Sequence, residues 1–217
     1  MTTEPSPCIA AHWIGTDLRV DDFEAPAWQK ADPVSIARFW SGEPAPGSKH
    51  AEAHILWSDQ ALHVRYTCNQ FEPPIVSSEP QMITKTIGLW DRDVCEIFLA
   101  PDLQRTERYF EFEAAPTGEW VDLGINWRPE GRVTDWEFNS GMTTASHLEN
   151  TKLVLAMRIP WKDGDGPIHK PQRHELWRVN LFRCVGIGDS RYLAWQPTFT
   201  AEPNFHVPQS FGWLRFD

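Results

Sequence analysis

Short runs in which every second residue is apolar recur along this chain, with polar turns between them. A side-chain period of two belongs to a strand with one buried face. In residues 61–67, Leu62, Val64 and Tyr66 alternate with His63, Arg65 and Thr67. Residues 54–57 precede that run, and Ser58-Asp59-Gln60 between them reads as a hairpin turn. Residues 94–99 end at Pro101-Asp102; residues 109–114 and 119–123 flank the turn Pro116-Thr117-Gly118. Residues 153–159 stop at Pro160, and residues 192–195 and 211–216 complete the set. Residues 176–185 alternate less cleanly, which predicts burial on both faces. No long capped amphipathic helix is visible; a short helical turn is expected in residues 31–39 or before Trp161. The expectation is an all-β, antiparallel two-sheet β-sandwich, with its 18 prolines mostly in loops. Residues 1–8 read as a mobile tail and residues 9–217 as one domain. The long connections 70–92 and 126–147 are where function is expected.

Composition narrows the function. The chain has 217 residues and a formal net charge of -10, with scattered basic residues, so nucleic acid and anionic membrane are poor partners. No apolar run is long enough to span a bilayer. Residues 1–10 lack the basic and apolar regions of a signal peptide. The default expectation is therefore cytoplasmic, with a secreted or periplasmic location if a leader has been removed. Cys8, Cys68, Cys95 and Cys184 have no metal-binding spacing; Cys95 and Cys184 read as buried free thiols. The outlier is tryptophan, with 12 residues. A sandwich core cannot easily satisfy that many indole N–H groups, so some indoles are expected at the surface with a task.

Six segments, in order, resemble family 9 carbohydrate-binding modules over roughly residues 20–217. The central one is residues 89–102, with Trp90, an Asp-containing turn and the Glu96-Ile97-Phe98 strand. Trp28 with Ala31, the hairpin at 54–67, and the Tyr109-to-Asp122 pair of strands are similar to family segments on either side. Trp177-Arg178-Val179-Asn180-Leu181-Phe182-Arg183 and the ending Trp195-Gln196-Pro197, Phe205-His206, Pro208, Phe211-Gly212 and Leu214 complete the likeness. The resemblance implies a DOMON-like, jelly-roll-like sandwich and non-catalytic binding of a glycan unit between two tryptophans. It also implies a structural calcium in some members.

A sugar site needs a flat aromatic plate for the C–H face of the ring and charged or amide groups for its hydroxyls. Trp90, in a loop beside Asp91, Arg92 and Asp93, is the first candidate plate. For the opposing plate Trp195 and the Phe205-His206 pair stand first, with Trp127 and Trp136 in reserve; Trp120, Trp177 and Trp213 read as core, and Trp28 and Trp57 as scaffold. Glu96 is the acidic ligand the resemblance implies. Glu111 shares a strand face with Glu113, and Arg92, Asn180, Arg183 and His206 are the further candidates for hydroxyl binding or ion pairing. For calcium, Asp91, Asp93 and Asp122 are the candidate oxygen ligands, whereas Asp163-Gly164-Asp165-Gly166 reads as a turn. Two rival functions stay open. A glycoside hydrolase would use Glu96 with Glu111 or Glu113. A haem-binding DOMON-like domain would draw axial ligands from Met82, Met142 or Met157 and His63, His147 or His206. Oligomeric state is not readable.

Overall fold

The structure, a computed structural model, describes residues 7–162 and 168–217. Its strands form two sheets packed face to face. One contains β4 (Ala51–Trp57), β5 (Ala61–Asn69), β10 (Thr143–Glu149) and β11 (Lys152–Pro160), with β2 (Val34–Ile36) beside β4. The other contains β6 (Val94–Ala100), β7 (Arg108–Ala114), β8 (Trp120–Arg128), β9 (Gly131–Asp135), β12 (Leu176–Cys184) and β14 (Gly212–Phe216). β13 (Tyr192–Ala194) pairs with β12 and with β3 (Arg38–Phe39).

β1 (Cys8–Trp13) joins the sheets. Its first residues pair with β14, and His12 and Trp13 pair with β4. Both pairings are parallel, so the sandwich is antiparallel except at this seam. The seam also shortens the expected tail at its inner end, while residues 1–6 lie outside the described residues. Cys8 is in register with Trp213, and the Trp213 amide donates to the Pro7 carbonyl at 3.0 Å. The segment that follows is likewise extended rather than helical. The only helical turn near residues 31–39 is a 3-10 turn at Pro26–Lys30, and β2 and β3 occupy the rest. Val34 and Ile36 alternate with Ser35, so the buried face repeats every second residue.

Alternation divides each inner strand between two environments. Cys95, Ile97 and Leu99 of β6, Phe110 and Phe112 of β7, and Trp177, Val179 and Leu181 of β12 face the other sheet. There they meet Leu62, Val64 and Tyr66 of β5 and Leu153, Leu155 and Met157 of β11. Tyr66 is fully buried, and its hydroxyl donates to the Glu96 carbonyl at 2.6 Å. The opposite faces of β6, β7, β8 and β12 are not left to solvent. Phe98, Tyr109, Val121, Leu123, Phe182 and Cys184 form a second apolar cluster, roofed by loops. That second cluster is the burial on both faces expected for β12, and it carries the site. Cys68, Cys95 and Cys184 are buried free thiols and Cys8 is exposed. Among the described residues no helix is long and apolar enough to cross a membrane.

Candidate functional site

The roofed outer face contains a cavity of about 250 Å³. Strand registry builds its floor. Glu111 and Glu113 are two apart on β7 and share a face, and Glu96 of β6 is directly opposite Glu113. Leu123 and Ile125 of β8 and Phe98 of β6 supply the apolar part of the floor. β9 adds Arg132 and Thr134 by the same period, and Trp136 follows just beyond its end. Trp90 enters from the 3-10 turn Leu89–Asp91 that precedes β6, and Pro203, Asn204, Phe205 and His206 close the remaining side.

Each wall is fastened from outside the cavity. Arg191 donates to the carbonyls of Trp90 at 3.3 Å, Asp91 at 3.1 Å and Arg92 at 2.5 Å, which fixes the turn that presents Trp90. Phe205 stacks on Phe182 with centroids 4.0 Å apart and planes 13° from parallel. The Trp127 indole donates to the Tyr109 hydroxyl at 3.2 Å, and that hydroxyl lies 3.0 Å from His206 Nδ1. A hydroxyl that already accepts from Trp127 donates onward to Nδ1, which leaves the His206 proton on Nε2. His206 Nε2 stands 3.9 Å from Glu111 Oε2. Burial disfavours a charged imidazole, so the His206 pKa is lowered to about 3.

The aromatic wall is Trp90 with Trp136. Their ring centroids are 6.3 Å apart and their planes are inclined by 42°. A sugar clamped between two rings needs two van der Waals contacts, about 7–8 Å in all. The indoles therefore form a continuous wall here, and a sugar stacks against its face or parts the pair. Trp136 is 47% exposed, enough to move.

The acidic floor is the other chemical feature. Glu96, Glu111 and Glu113 are all buried, and one oxygen from each lies within 4.8 Å of the others. No donor outside the trio reaches either Glu113 oxygen or Glu111 Oε2, though Glu111 and Glu113 are close enough to share a proton. Burial, then the neighbouring Glu111 charge, raises the Glu96 pKa to about 8. Glu96 accepts one hydrogen bond, from the Cys184 thiol at 3.3 Å. Burial, then repulsion from Glu96 and Glu111, pushes Glu113 well above the usual carboxylate range, and burial raises Glu111 as well.

Of the sequence candidates, Trp90, Glu96, Glu111 and His206 meet in this cavity. The others have different tasks. Arg183 projects from the inner face of β12, one residue out of phase with Cys184 and the cavity. Its guanidinium donates to the carbonyls of Lys49 and His50 at 2.9 Å and of Asn69 at 2.8 Å, and to Gln70 Oε1 at 2.7 Å. Asn180 is committed to the backbone of Gln196, donating to its carbonyl at 2.9 Å and accepting from its amide at 3.0 Å. Arg92 pairs with Glu119 at 3.4 Å outside the cavity. Trp195 packs against Gly212, where an added Cβ would lie 2.4 Å from the indole; the ring belongs to the sandwich interior rim. Of the expected core indoles Trp177 is fully buried, Trp120 packs half-buried against the core, and Trp213 is a half-buried platform for Arg178.

The residues expected to hold calcium do not assemble a site. Asp93 Oδ1 accepts from the Gly186 amide at 2.8 Å, and its Oδ2 lies 3.3 Å from the Gln70 amide nitrogen. Asp122 accepts from the Ser140 amide at 2.6 Å and hydroxyl at 2.7 Å and pairs with Lys85 at 3.2 Å. Asp91 is exposed and has no metal-ligating partner among the other two aspartates. Asp163, Gly164, Asp165 and Gly166 lie outside the described residues. The rival constellations fare no better. The glutamates share one floor, instead of flanking a cleft as a glycosidase pair does. No methionine lines the cavity that holds His206, while Met142 and Met157 sit in the inter-sheet core and Met82 is exposed.

Sequence reasoning held Trp136 in reserve and gave no part to Arg132, Tyr192 or Arg191. The alternation of Arg132, Thr134 and Trp136 was the available signal, and it went unread because β9 has no apolar face.

An all-β sandwich with an aromatic-walled, acid-floored cavity on the outside of one sheet is a ligand-binding architecture. The chain belongs to the carbohydrate family 9 binding domain-like family, whose model matches residues 20–216. A Bacteroides uniformis protein assigned as carbohydrate-binding is similar in fold, with a TM-score of 0.73 and 17% identity over 98% of this chain and 100% of that one. A carbohydrate binding module family 9 from Caldicellulosiruptor kristjanssonii in complex with cellotriose has a TM-score of 0.64 and 16% identity, covering 97% of this chain and 94% of that one. A structure of a family 9 module from the same organism in complex with glucose gives 0.62 and 17%, covering 96% and 95%. No curated protein sequence matches the chain.

Proposed function

We propose that the chain binds carbohydrate without cleaving it, taking one sugar unit into the cavity beside Trp90 and Trp136. The observation that carries this reading is the adjacency of an aromatic wall and buried carboxylates in one cavity of about 250 Å³. The indole faces suit the polarised C–H bonds of a pyranose, and the carboxyl groups with Asn204 and His206 suit its hydroxyls. Family membership and the glucose and cellotriose held by similar structures support glucose-type units as the first ligands to try. The floor geometry supports non-catalytic action: among the described residues the carboxylates lining the cavity, Glu96, Glu111 and Glu113, all belong to one floor.

Calorimetry and tryptophan quenching with glucose, cellobiose, cellotriose and xylo-oligosaccharides test the proposal. Saturable binding is expected, with Trp90→Ala and Trp136→Ala each weakening it at least tenfold, about 1.4 kcal/mol. Binding that survives both substitutions would place the sugar elsewhere. Hydrolysis of aryl glycosides by the purified chain, abolished in Glu96→Gln, would overturn the non-catalytic reading.

A further inference from the structure

Three buried carboxylates side by side on one sheet face form an arrangement that strand pairing alone would disfavour. Glu96 is directly opposite Glu113, and like charges at opposed positions destabilise a sheet. We infer that Glu96, Glu111 and Glu113 hold a hard divalent cation on the cavity floor, and that its open coordination positions bind hydroxyls of the sugar.

Geometry supplies the first support. Two oxygens bound to one calcium-sized ion at about 2.3–2.6 Å can be at most about 4.6–5.2 Å apart. One oxygen from each glutamate lies within 4.8 Å of the other two, so the trio surrounds an ion with its backbone as it stands. The second support is independent of that spacing. Glu113 is 0% exposed and no donor outside the trio reaches either of its oxygens or Glu111 Oε2; the one link available to them is the hydrogen bond Glu113 and Glu111 make to each other when they share a proton. A buried carboxylate left this way is costly unless something cationic or hydrogen-donating occupies the space it faces. The protein supplies cationic charge nearby but no hydrogen bond from it to the trio. Arg191 spends its Nη1 and Nη2 groups on the carbonyls behind Trp90, and its charge acts on Glu96 without a bond to it. Arg132 lines the cavity from the edge strand and its charge acts on Glu111, and His206 Nε2 is 3.9 Å from Glu111 Oε2.

Charge decides between a metal and an ammonium. Three carboxylates around a monovalent ammonium leave two net negative charges on the floor, and a divalent ion leaves one. Coordination then gives the ion a role. Calcium takes about six to eight oxygens, so three glutamates leave several positions, and they open into the cavity. Neighbouring hydroxyls of a pyranose can fill two of them. The second half of this inference rests on the carbohydrate reading above.

The experiment uses the full chain stripped with EDTA. CaCl2 and MnCl2 are titrated calorimetrically, and Tb³⁺ luminescence sensitised by the cavity indoles reports location. One ion per chain is expected. Glu113→Gln should weaken it at least tenfold, while Asp59→Asn, at an exposed turn outside the cavity, leaves it unchanged. Glucose or cellotriose should bind at least tenfold more weakly in EDTA than in excess CaCl2. Failure of any ion to bind saturably at millimolar concentration, or undiminished binding to Glu113→Gln, overturns the site. Equal sugar affinity with and without the ion overturns the bridging role. Ion binding at the trio with no sugar binding in either condition sinks the carbohydrate reading and the bridging with it, leaving the ion site in place. A preference for glucosamine over glucose in EDTA, without ion binding, would assign the floor to an ammonium instead.

Discussion

Glu113 sets the terms of the site at the residue scale. It is fully buried, faces Glu96 across the β6–β7 pair, and has no hydrogen-bond donor beyond the proton it can share with Glu111. A side chain that only served the fold would be apolar here, as Leu123 and Ile125 are on the same floor. Replacing a buried carboxyl group that lacks a donor with a shape-matched apolar group relieves its desolvation cost. Glu113→Met should therefore stabilise the ion-free protein by about 1–2 kcal/mol, a rise of several degrees in melting temperature measured in EDTA. The same variant should lose sugar binding. Lower stability in EDTA would show that Glu113 has a structural partner. Arg183 is the opposite case. Its side chain donates to three backbone carbonyls and to Gln70, joining β12 to the loops at the end of β4 and β5. Arg183→Met strips four buried acceptors of their donors, at about 1–3 kcal/mol for each group left unsatisfied before relaxation. A loss of about 3–5 kcal/mol in urea unfolding is expected. The folded fraction should keep its sugar affinity, because the guanidinium points away from the cavity. A loss of affinity with stability intact would return Arg183 to the site.

At the scale of elements, legibility followed the pattern of burial. β5, β6, β7, β11 and β12 each place apolar residues on a buried face, and their alternation or apolar run is plain in the sequence. β9 and β10 are the outermost strands of their sheets and carry mostly polar residues on both faces, such as Arg132-Val133-Thr134 and Thr143-Thr144-Ala145-Ser146. Edge strands are commonly polar, since that discourages pairing with other chains, and polarity erases the period-two signal. The stretch 126–147 therefore reads as a loop, though it holds the strand that leads to Trp136. β1 was hidden differently: Ala10 and Ala11 dilute its alternation, and its parallel pairing has no local turn to announce it. The candidate cavity was legible where a motif met a strand phase, at Glu96 and Glu111, and in the turn before β6, at Trp90. Arg183 and Asn180 share a matching motif, but an apparent alternation cannot show which face a polar residue takes when both faces are buried.

The whole molecule couples its stability to pH through a charge cluster on the outer face of the other sheet, away from the cavity. His63 of β5 is buried, with Nε2 3.1 Å from Asp17 Oδ1 and 3.3 Å from the Ser58 hydroxyl. Arg158, its register partner on β11, holds Asp17 at 2.7 Å, so the carboxylate is shared. Burial, the largest influence, outweighs the attraction of Asp17 and lowers the His63 pKa from 6.5 to about 4. The sign follows from linkage. Between those values the unfolded chain binds a proton that the folded chain refuses, so this stability is present above about pH 6.5 and is lost as pH falls through about 4. Near pH 5 the loss amounts to about 1–2 kcal/mol. Asp17 belongs to the segment between β1 and the 3-10 turn at Trp28, which closes over Ile14 and Leu56 in a small apolar cluster. Protonation of His63 should therefore loosen that segment first, with the cavity on the opposite sheet the last part to respond. Urea unfolding of the wild type and His63→Gln at pH 7 and pH 5 measures the effect. The wild type should lose about 1–2 kcal/mol more than the variant across that interval. Parallel losses in the two proteins would assign the acid sensitivity to other groups.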